Sequence, residues 1–225
     1  MLKSDKAGGK AMDDLFGDRR EHGPIVLADN AVLLPAYADG ELLYRLIEEL
    51  AEQAPFRKYV TRSGFSLSVA MSNCGSKGWV SDRRGYRYEA IDPLTGKPWP
   101  PMPDAFLQLA KDAAKEAGFD NFTPNACLIN RYEVGTKMGL HQDKDEKDFA
   151  QPIVSVSIGL MARFQFGGAE RSDPVLKYEL HHGDVVVWGG KSRLYYHGIM
   201  PLKAGVHALT GPYRYNLTFR YASDG

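Results

Sequence analysis

From Gly23 to Pro35 the chain reads GPIVLADNAVLLP, two short apolar runs around Asp29-Asn30, which predicts a strand, a tight turn and a second apolar segment. The period then changes. Leu42, Leu46 and Leu50 recur at helical spacing, and Leu43 and Ile47 widen their face, so a helix runs from a cap at Asp39 to about Gln53 and packs on the core. Residues 57–100 break this regularity. Glycine, proline, aromatic and basic residues mix there up to IDPLTGKPWP, predicting loops and short strands. A second helix follows from about Pro103 to Ala117, with proline in its first turn and Gly118 at its C-terminal cap.

From Ala126 to Arg220 the pattern is that of strands: ACLINRY, IVSVSIGL, ARFQFGG, VLKYEL, DVVVWGG, SRLYYHGI and YRYNLTFR. With no helices between them, these runs predict a closed or two-layer antiparallel sheet and argue against a Rossmann-like unit. The fold class is mainly β with flanking helices.

Length and composition fit one large domain: 225 residues, 44% apolar and 25% charged, with 23 glycines and 13 prolines for the turns. The first 20 or so residues lack the apolar core of a signal peptide and are expected to form a flexible tail, and no apolar run has the length of a membrane span. A cytoplasmic protein with free Cys74 and Cys127 is expected, Cys127 serving as a small buried hydrophobe. Zero net charge argues against wrapping duplex DNA by broad phosphate neutralisation. A local patch remains. Lys58, Arg62, Lys77, Arg83, Arg84 and Arg87 face one acid, Asp82, and Tyr59, Phe65, Trp79 and Tyr86 are interleaved, a mixture suited either to phosphates and stacked bases or to a solvated loop face.

The segment KMGLHQDKDE carries the first candidate chemistry. His141 and Asp143 are two apart, so an extended strand sends both side chains to one face, where they can share an ion. Asp145, Glu146 and Asp148 read as a solvated polar loop. Among possible third ligands, His22 lies in the tail, His207 in a polar turn, and His182-Gly183-Asp184 reads as a turn in its own right. His197, at the end of RLYYHG, is the candidate an antiparallel barrel could return beside His141 and Asp143. Two imidazoles and a carboxylate hold one face of Fe(II), and zinc accepts the same donors. Downstream, RYNLTFR sets Arg214, Asn216, Thr218 and Arg220 on one strand face and Tyr215, Leu217 and Phe219 on the other. Two arginines beside amide and hydroxyl groups make a receptor for a small dianion, the alternative being an exposed basic strand face.

In order, NRY, LHQDKDE, DVVVWGG, YYHGI and RYNLTFR resemble the AlkB family of Fe(II)- and 2-oxoglutarate-dependent dioxygenases over about residues 23–220. The resemblance implies a double-stranded β-helix, or jelly roll, with an N-terminal nucleotide-recognition lid at 57–100 and a catalytic core at 126–220, within one domain spanning 21–225. It implies Fe(II) held by His141, Asp143 and His197, with 2-oxoglutarate and molecular oxygen as co-substrates. Arg214 and Arg220 match the arginines that meet the 2-oxoglutarate carboxylates, and Asn130, Tyr132 and Asn216 match supporting polar contacts. On the substrate side, Trp79 matches an aromatic that sandwiches a flipped base against His141. Tyr86 lies in the same lid, Asp145 matches a carboxylate at the base edge, and Arg171 a basic pocket residue. Phe65 stands where the family pattern has a tyrosine, so a phenolic hydrogen bond is lost there.

The implied activity is oxidative demethylation of 1-methyladenine and 3-methylcytosine in single-stranded DNA, by a monomer with no membrane association. Duplex DNA and RNA are further candidate substrates. Competing readings are the same chemistry on RNA, protein or a metabolite, a noncatalytic nucleic-acid-binding jelly roll, and a zinc hydrolase.

Overall fold

The computed structural model describes residues 23–223, so the tail expected at residues 1–20 and His22 lie outside the described residues. At Asp29-Asn30 the chain turns sharply, Asn30 taking a φ of 59°, and folds β1 (Ile25–Ala28) onto β2 (Ala31–Leu34). Helix α1 (Gly40–Gln53) begins where the Asp39 carboxylate accepts the Leu42 N–H at 3.1 Å, satisfying one of the amides a helix start leaves unpaired. Its deepest residues are Leu43, Ile47 and Leu50, with Leu46 on the flank. Helix α2 (Asp104–Glu116) buries Phe106, Ala110, Ala113 and Ala114; Pro103 occupies its cap position, and Gly118 leaves it at a φ of 87°.

The alternating runs become strands β3 (Ala70–Gly75), β6 (Ala126–Tyr132), β7 (Met138–His141), β8 (Ile153–Gly159), β9 (Ala162–Phe166), β10 (Leu176–Leu180), β11 (Val185–Trp188), β12 (His197–Ile199) and β13 (Arg214–Arg220). A seven-stranded sheet has the order β1-β2-β11-β8-β13-β6-β3, and a four-stranded sheet the order β10-β9-β12-β7. All their pairings are antiparallel. A separate hairpin joins β4 (Gly78–Asp82) to β5 (Gly85–Glu89).

The larger sheet carries an apolar cluster on each face. On one, Val154, Val156, Ile158, Tyr215, Leu217 and Phe219 pack with Leu43, Ile47 and Phe106 of the helices. On the other, Met71, Leu128, Val186 and Trp188 meet Phe164, Phe166 and Ile199 of the smaller sheet. Removing this apolar area from water, at roughly 25 cal/mol per Å², drives the two layers together.

Two local expectations change, and a third holds. Only His197–Ile199 of SRLYYHGI is strand, because Gly190–Ser192 forms a 3-10 turn first. Within 57–100, β3 is buried throughout and pairs with β6, so that segment contributes to the larger sheet as well as to the hairpin. His182-Gly183-Asp184 is a turn, with Gly183 at a φ of 84° and the buried Asp184 carboxylate accepting from Ala36 N–H and His181 N–H. Cys74 and Cys127 are buried free thiols on directly opposed positions of β3 and β6. No described helix is long and apolar enough to cross a membrane.

Candidate active site

β7 and β12 pair so that His141 lies directly opposite His197. Their rings stand 4.4 Å apart. Gly198 permits this approach: a Cβ there would lie 2.7 Å from the Met138 carbonyl oxygen and 3.0 Å from that of Gly139. β7 ends at His141, so Asp143 reaches the same point from the loop beyond the strand rather than from a shared strand face. His141 Nε2 is 3.5 Å from Asp143 Oδ1, and His197 Nε2 is 3.7 Å from Asp143 Oδ2. One ligand atom from each residue lies within 4.8 Å of the others, the only such cluster among the described residues.

Tautomers follow from the backbone. His141 Nδ1 donates to the Gly139 carbonyl and His197 Nδ1 to that of Tyr195, both at 2.9 Å, which leaves each Nε2 lone pair facing Asp143. Burial and the neighbouring His141 hold His197 below its usual pKa. At His141 burial acts in the same direction, but Asp143 outweighs it and raises the pKa. Burial alone would raise the Asp143 carboxyl; Arg220, His141 and His197 overcome it and hold Asp143 well below the usual range. Two imidazoles that can each turn an Nε2 to a shared ion, and a firmly ionised carboxylate, are the donor set a divalent transition metal needs.

Beneath the triad, all four inward residues of β13 are buried, which rules out the exposed basic strand face. Arg220 Nη2 donates to Asp143 Oδ2 at 2.7 Å. Arg214 donates to Ser157 Oγ at 2.9 Å and lies over the Tyr132 ring at 5.0 Å. Its Nε and Nη1, and Asn130 Oδ1, are buried without a hydrogen-bond partner among the described residues. Asn130 Nδ2 donates to Asn216 Oδ1, and Asn216 Nδ2 to Ser155 Oγ and the Val156 carbonyl. Orphaned guanidinium N–H groups are costly unless a ligand meets them, so the dianion receptor fits these residues.

A cavity of about 450 Å³ joins these groups to the lid, reaching Trp79, Tyr86, Asp145 and Arg171. Trp79 stacks on Tyr86, with centroids 5.4 Å apart and planes at 20°, and its Nε1 donates to Asp145 Oδ2 at 2.9 Å. Burial raises the Asp145 carboxyl despite that bond. Arg171 lies over the Tyr196 ring at 5.0 Å. Phe65 is 74% exposed, and Lys58 lies 3.8 Å from Glu133. Arg84 and Arg87 both pair with Asp82, and Arg87 also with Glu89, so the hairpin neutralises much of its own basic character.

Some of the site's residues gave no local signal in the sequence. Glu146 belongs to no solvated loop: it is 4% exposed and accepts from Arg193 Nη2 at 3.0 Å. Arg193, 2% exposed, also donates to the Asp143 carbonyl at 2.6 Å and to that of Gln151 at 3.0 Å. A lone arginine inside the apolar-aromatic SRLYYHG was the available clue. Asn73, fully buried, holds both the N–H and the carbonyl of Trp79.

Comparison with known proteins decides the family. The model of the 2OG-Fe(II) oxygenase superfamily matches residues 30–220. The alpha-ketoglutarate-dependent dioxygenase AlkB of Escherichia coli (strain K12) is 57% identical over 213 residues, covering 94% of this chain and 98% of that protein. The chain belongs to the AlkB family of 2OG-Fe(II) oxygenases. As an AlkB-family member it is an Fe(II)- and 2-oxoglutarate-dependent dioxygenase that uses molecular oxygen, and its triad is the metal site. A solved structure described as "The structure of OsALKBH1" superposes with a TM-score of 0.78 at 32% identity, covering 88% of this chain and 99% of that one, so the two layers form the AlkB-family jelly roll. The DNA N(6)-methyladenine demethylase ALKBH1C of Arabidopsis thaliana is 32% identical over 173 residues, 65% of this chain and 38% of that protein.

Proposed function

We propose that this dioxygenase removes methyl groups from N-alkylated bases, with 1-methyladenine and 3-methylcytosine in single-stranded DNA as its substrates. It acts as a cytoplasmic monomer whose residues 21–225 form one domain. The observation that carries this reading is a single cavity lined at its base by the triad and the β13 arginines and at its mouth by Trp79, Tyr86, Asp145 and Arg171. The names of the Escherichia coli and Arabidopsis relatives support the same chemistry and a nucleic-acid substrate.

Arg214 and Arg220 meet the two carboxylates of 2-oxoglutarate, and Asn130, Tyr132 and Asn216 support it from β6 and β13. Bound Fe(II), with 2-oxoglutarate and oxygen, supplies the oxidation that turns an N-methyl into a hydroxymethyl group, which leaves as formaldehyde, while 2-oxoglutarate becomes succinate and carbon dioxide. Trp79 and His141 take the extruded base between them, with Tyr86 releasing its stack on Trp79 to admit it. A single strand spares most of the unpairing cost. Asp145 exchanges the indole N–H for the exocyclic amino group of a cationic base, whose charge its carboxylate favours. Arg171 lines the same cavity.

The test is mass spectrometry of a single-stranded oligonucleotide carrying one 1-methyladenine, incubated with protein, Fe(II), ascorbate, oxygen and 2-oxoglutarate. Methyl loss that requires 2-oxoglutarate is the expected outcome. Consumption of 2-oxoglutarate without methyl loss would overturn the DNA assignment and move the search to RNA.

A further inference from the structure

Trp79 and Tyr88 are cross-strand partners in the hairpin. Each sends one hydrogen bond across to the metal-binding loop, and the acceptors, Asp145 and Glu146, are adjacent in sequence: Trp79 Nε1 to Asp145 Oδ2, and the Tyr88 hydroxyl to Glu146 Oε1. The two links differ in kind. Asp145 stands at the cavity wall, where an incoming base can take the indole's place. Glu146 is sealed off, its carboxylate also paired with Arg193 at 3.0 Å and Arg220 at 3.3 Å. Arg193 holds the Asp143 carbonyl, and Arg220 its carboxylate. One buried cluster therefore joins a lid tyrosine to the backbone and side chain of a metal ligand.

We infer that Tyr88 is a positioning residue for this reaction, its hydroxyl bond to Glu146 fixing the height of the β4–β5 hairpin, and so of Trp79, above the metal centre. The inference rests on the proposed function in treating the hairpin as a nucleotide lid. The geometry favours this role over simple core filling. Tyr88 sits one pair from the open end of the hairpin, opposite the residue it positions, and its acceptor is a buried carboxylate already held by two arginines. Bonds to a buried charge are the stronger class and hold geometry well. Burial keeps the Tyr88 hydroxyl protonated as a donor far above neutral pH. Other anchors hold the hairpin to other parts of the fold: Ser81 Oγ to the Val60 carbonyl at 2.6 Å near its turn, Asn73 to the Trp79 backbone, and Trp99 Nε1 to the Glu89 carbonyl at 2.9 Å. Among the described residues, only the Trp79 and Tyr88 side chains bond it to the metal-binding loop.

The experiment compares wild-type and Tyr88→Phe protein by amide hydrogen exchange and by steady-state demethylation of the methylated single strand. Loss of one bond to a buried charge should speed exchange of residues 78–89 by about tenfold. Exchange at residues 153–159 and 214–220 and the affinity for Mn(II) should stay at wild-type values. KM for the oligonucleotide should rise by more than kcat falls. Unchanged hairpin exchange would overturn the inference. So would an acceleration spread equally over the sheet strands, which marks a general loss of stability. Exchange is read without any nucleotide, so it decides the matter even if the substrate proves not to be DNA.

Discussion

The catalytic core and the hairpin above it both pair arginine with aspartate, and the setting decides what each pair does. In the core, Arg220 meets Asp143 at 2.7 Å with side chains only 8% and 10% exposed. In the hairpin, Arg87 meets Asp82 at 2.9 Å with 22% and 37% exposed. Water and salt screen the second pair, so it tunes the lid's local charge and little else. The first has lost its hydration, and each partner's charge offsets the cost of burying the other. At the root of the lid, Arg57 and Asp92 form an intermediate case, bonded at 2.6 Å with 18% and 3% exposed. Similar distances thus conceal three different roles.

Asp143→Ala should give the widest separation between the regions, lowering metal affinity by more than the roughly 100-fold typical of losing an outer contact. Anaerobic Mn(II) titration reads this, and Asp82→Ala should leave the same titration unchanged. Next, Arg220→Met strands two buried carboxylates, Asp143 and Glu146, and should cost about 3–5 kcal/mol in urea unfolding of the metal-free protein. It should also abolish tight 2-oxoglutarate binding. Arg87→Met should alter neither, and equal effects of the two would break the contrast.

Asp145→Ala tests the boundary between the regions. Preference for a cationic methylated base over a neutral one should fall by about 1–3 kcal/mol in relative kcat/KM, with metal affinity retained. The smallest effect is expected at Asp92. Burial pushes its carboxyl up, but Arg57 and the hydrogen bonds from the Leu94 amide and the Thr95 hydroxyl outweigh this and lower it. A carboxyl depressed in the folded state contributes stability that is present above its unfolded pKa, about 3.9, and is lost as the pH falls through the folded value. Asp92→Asn should therefore flatten the acid limb of stability measured between about pH 5 and pH 2, leaving the neutral-pH contrast between core and hairpin intact.

Legibility in the sequence followed the same division. β13 could be read from RYNLTFR because alternation is a local rule, and its two faces point as the rule requires: Tyr215, Leu217 and Phe219 to the helices, the arginines into the cavity. The Asp39 cap and the α1 stripe were legible for the same reason. Glu146 was not. A glutamate in QDKDE looks solvated until Arg193 arrives from a distant turn and Tyr88 from a distant strand, and no local pattern announces a pairing across the fold. The basic lid was half legible: its charges are real, but Asp82 and Glu89 cancel several of them within one hairpin. His141 and Asp143 do converge, though through a loop that continues past the strand end.

The gap between His141 and His197 is set by an atom that is missing. With hydrogen in place of a side chain, Gly198 acts as a spacer of zero thickness between β12 and the carbonyls of Met138 and Gly139. One methyl group there would work as a shim, pushing the two strands apart by a fraction of an ångström. The tolerance of the metal grip is thereby machined into the backbone at a residue that offers the metal no side-chain ligand.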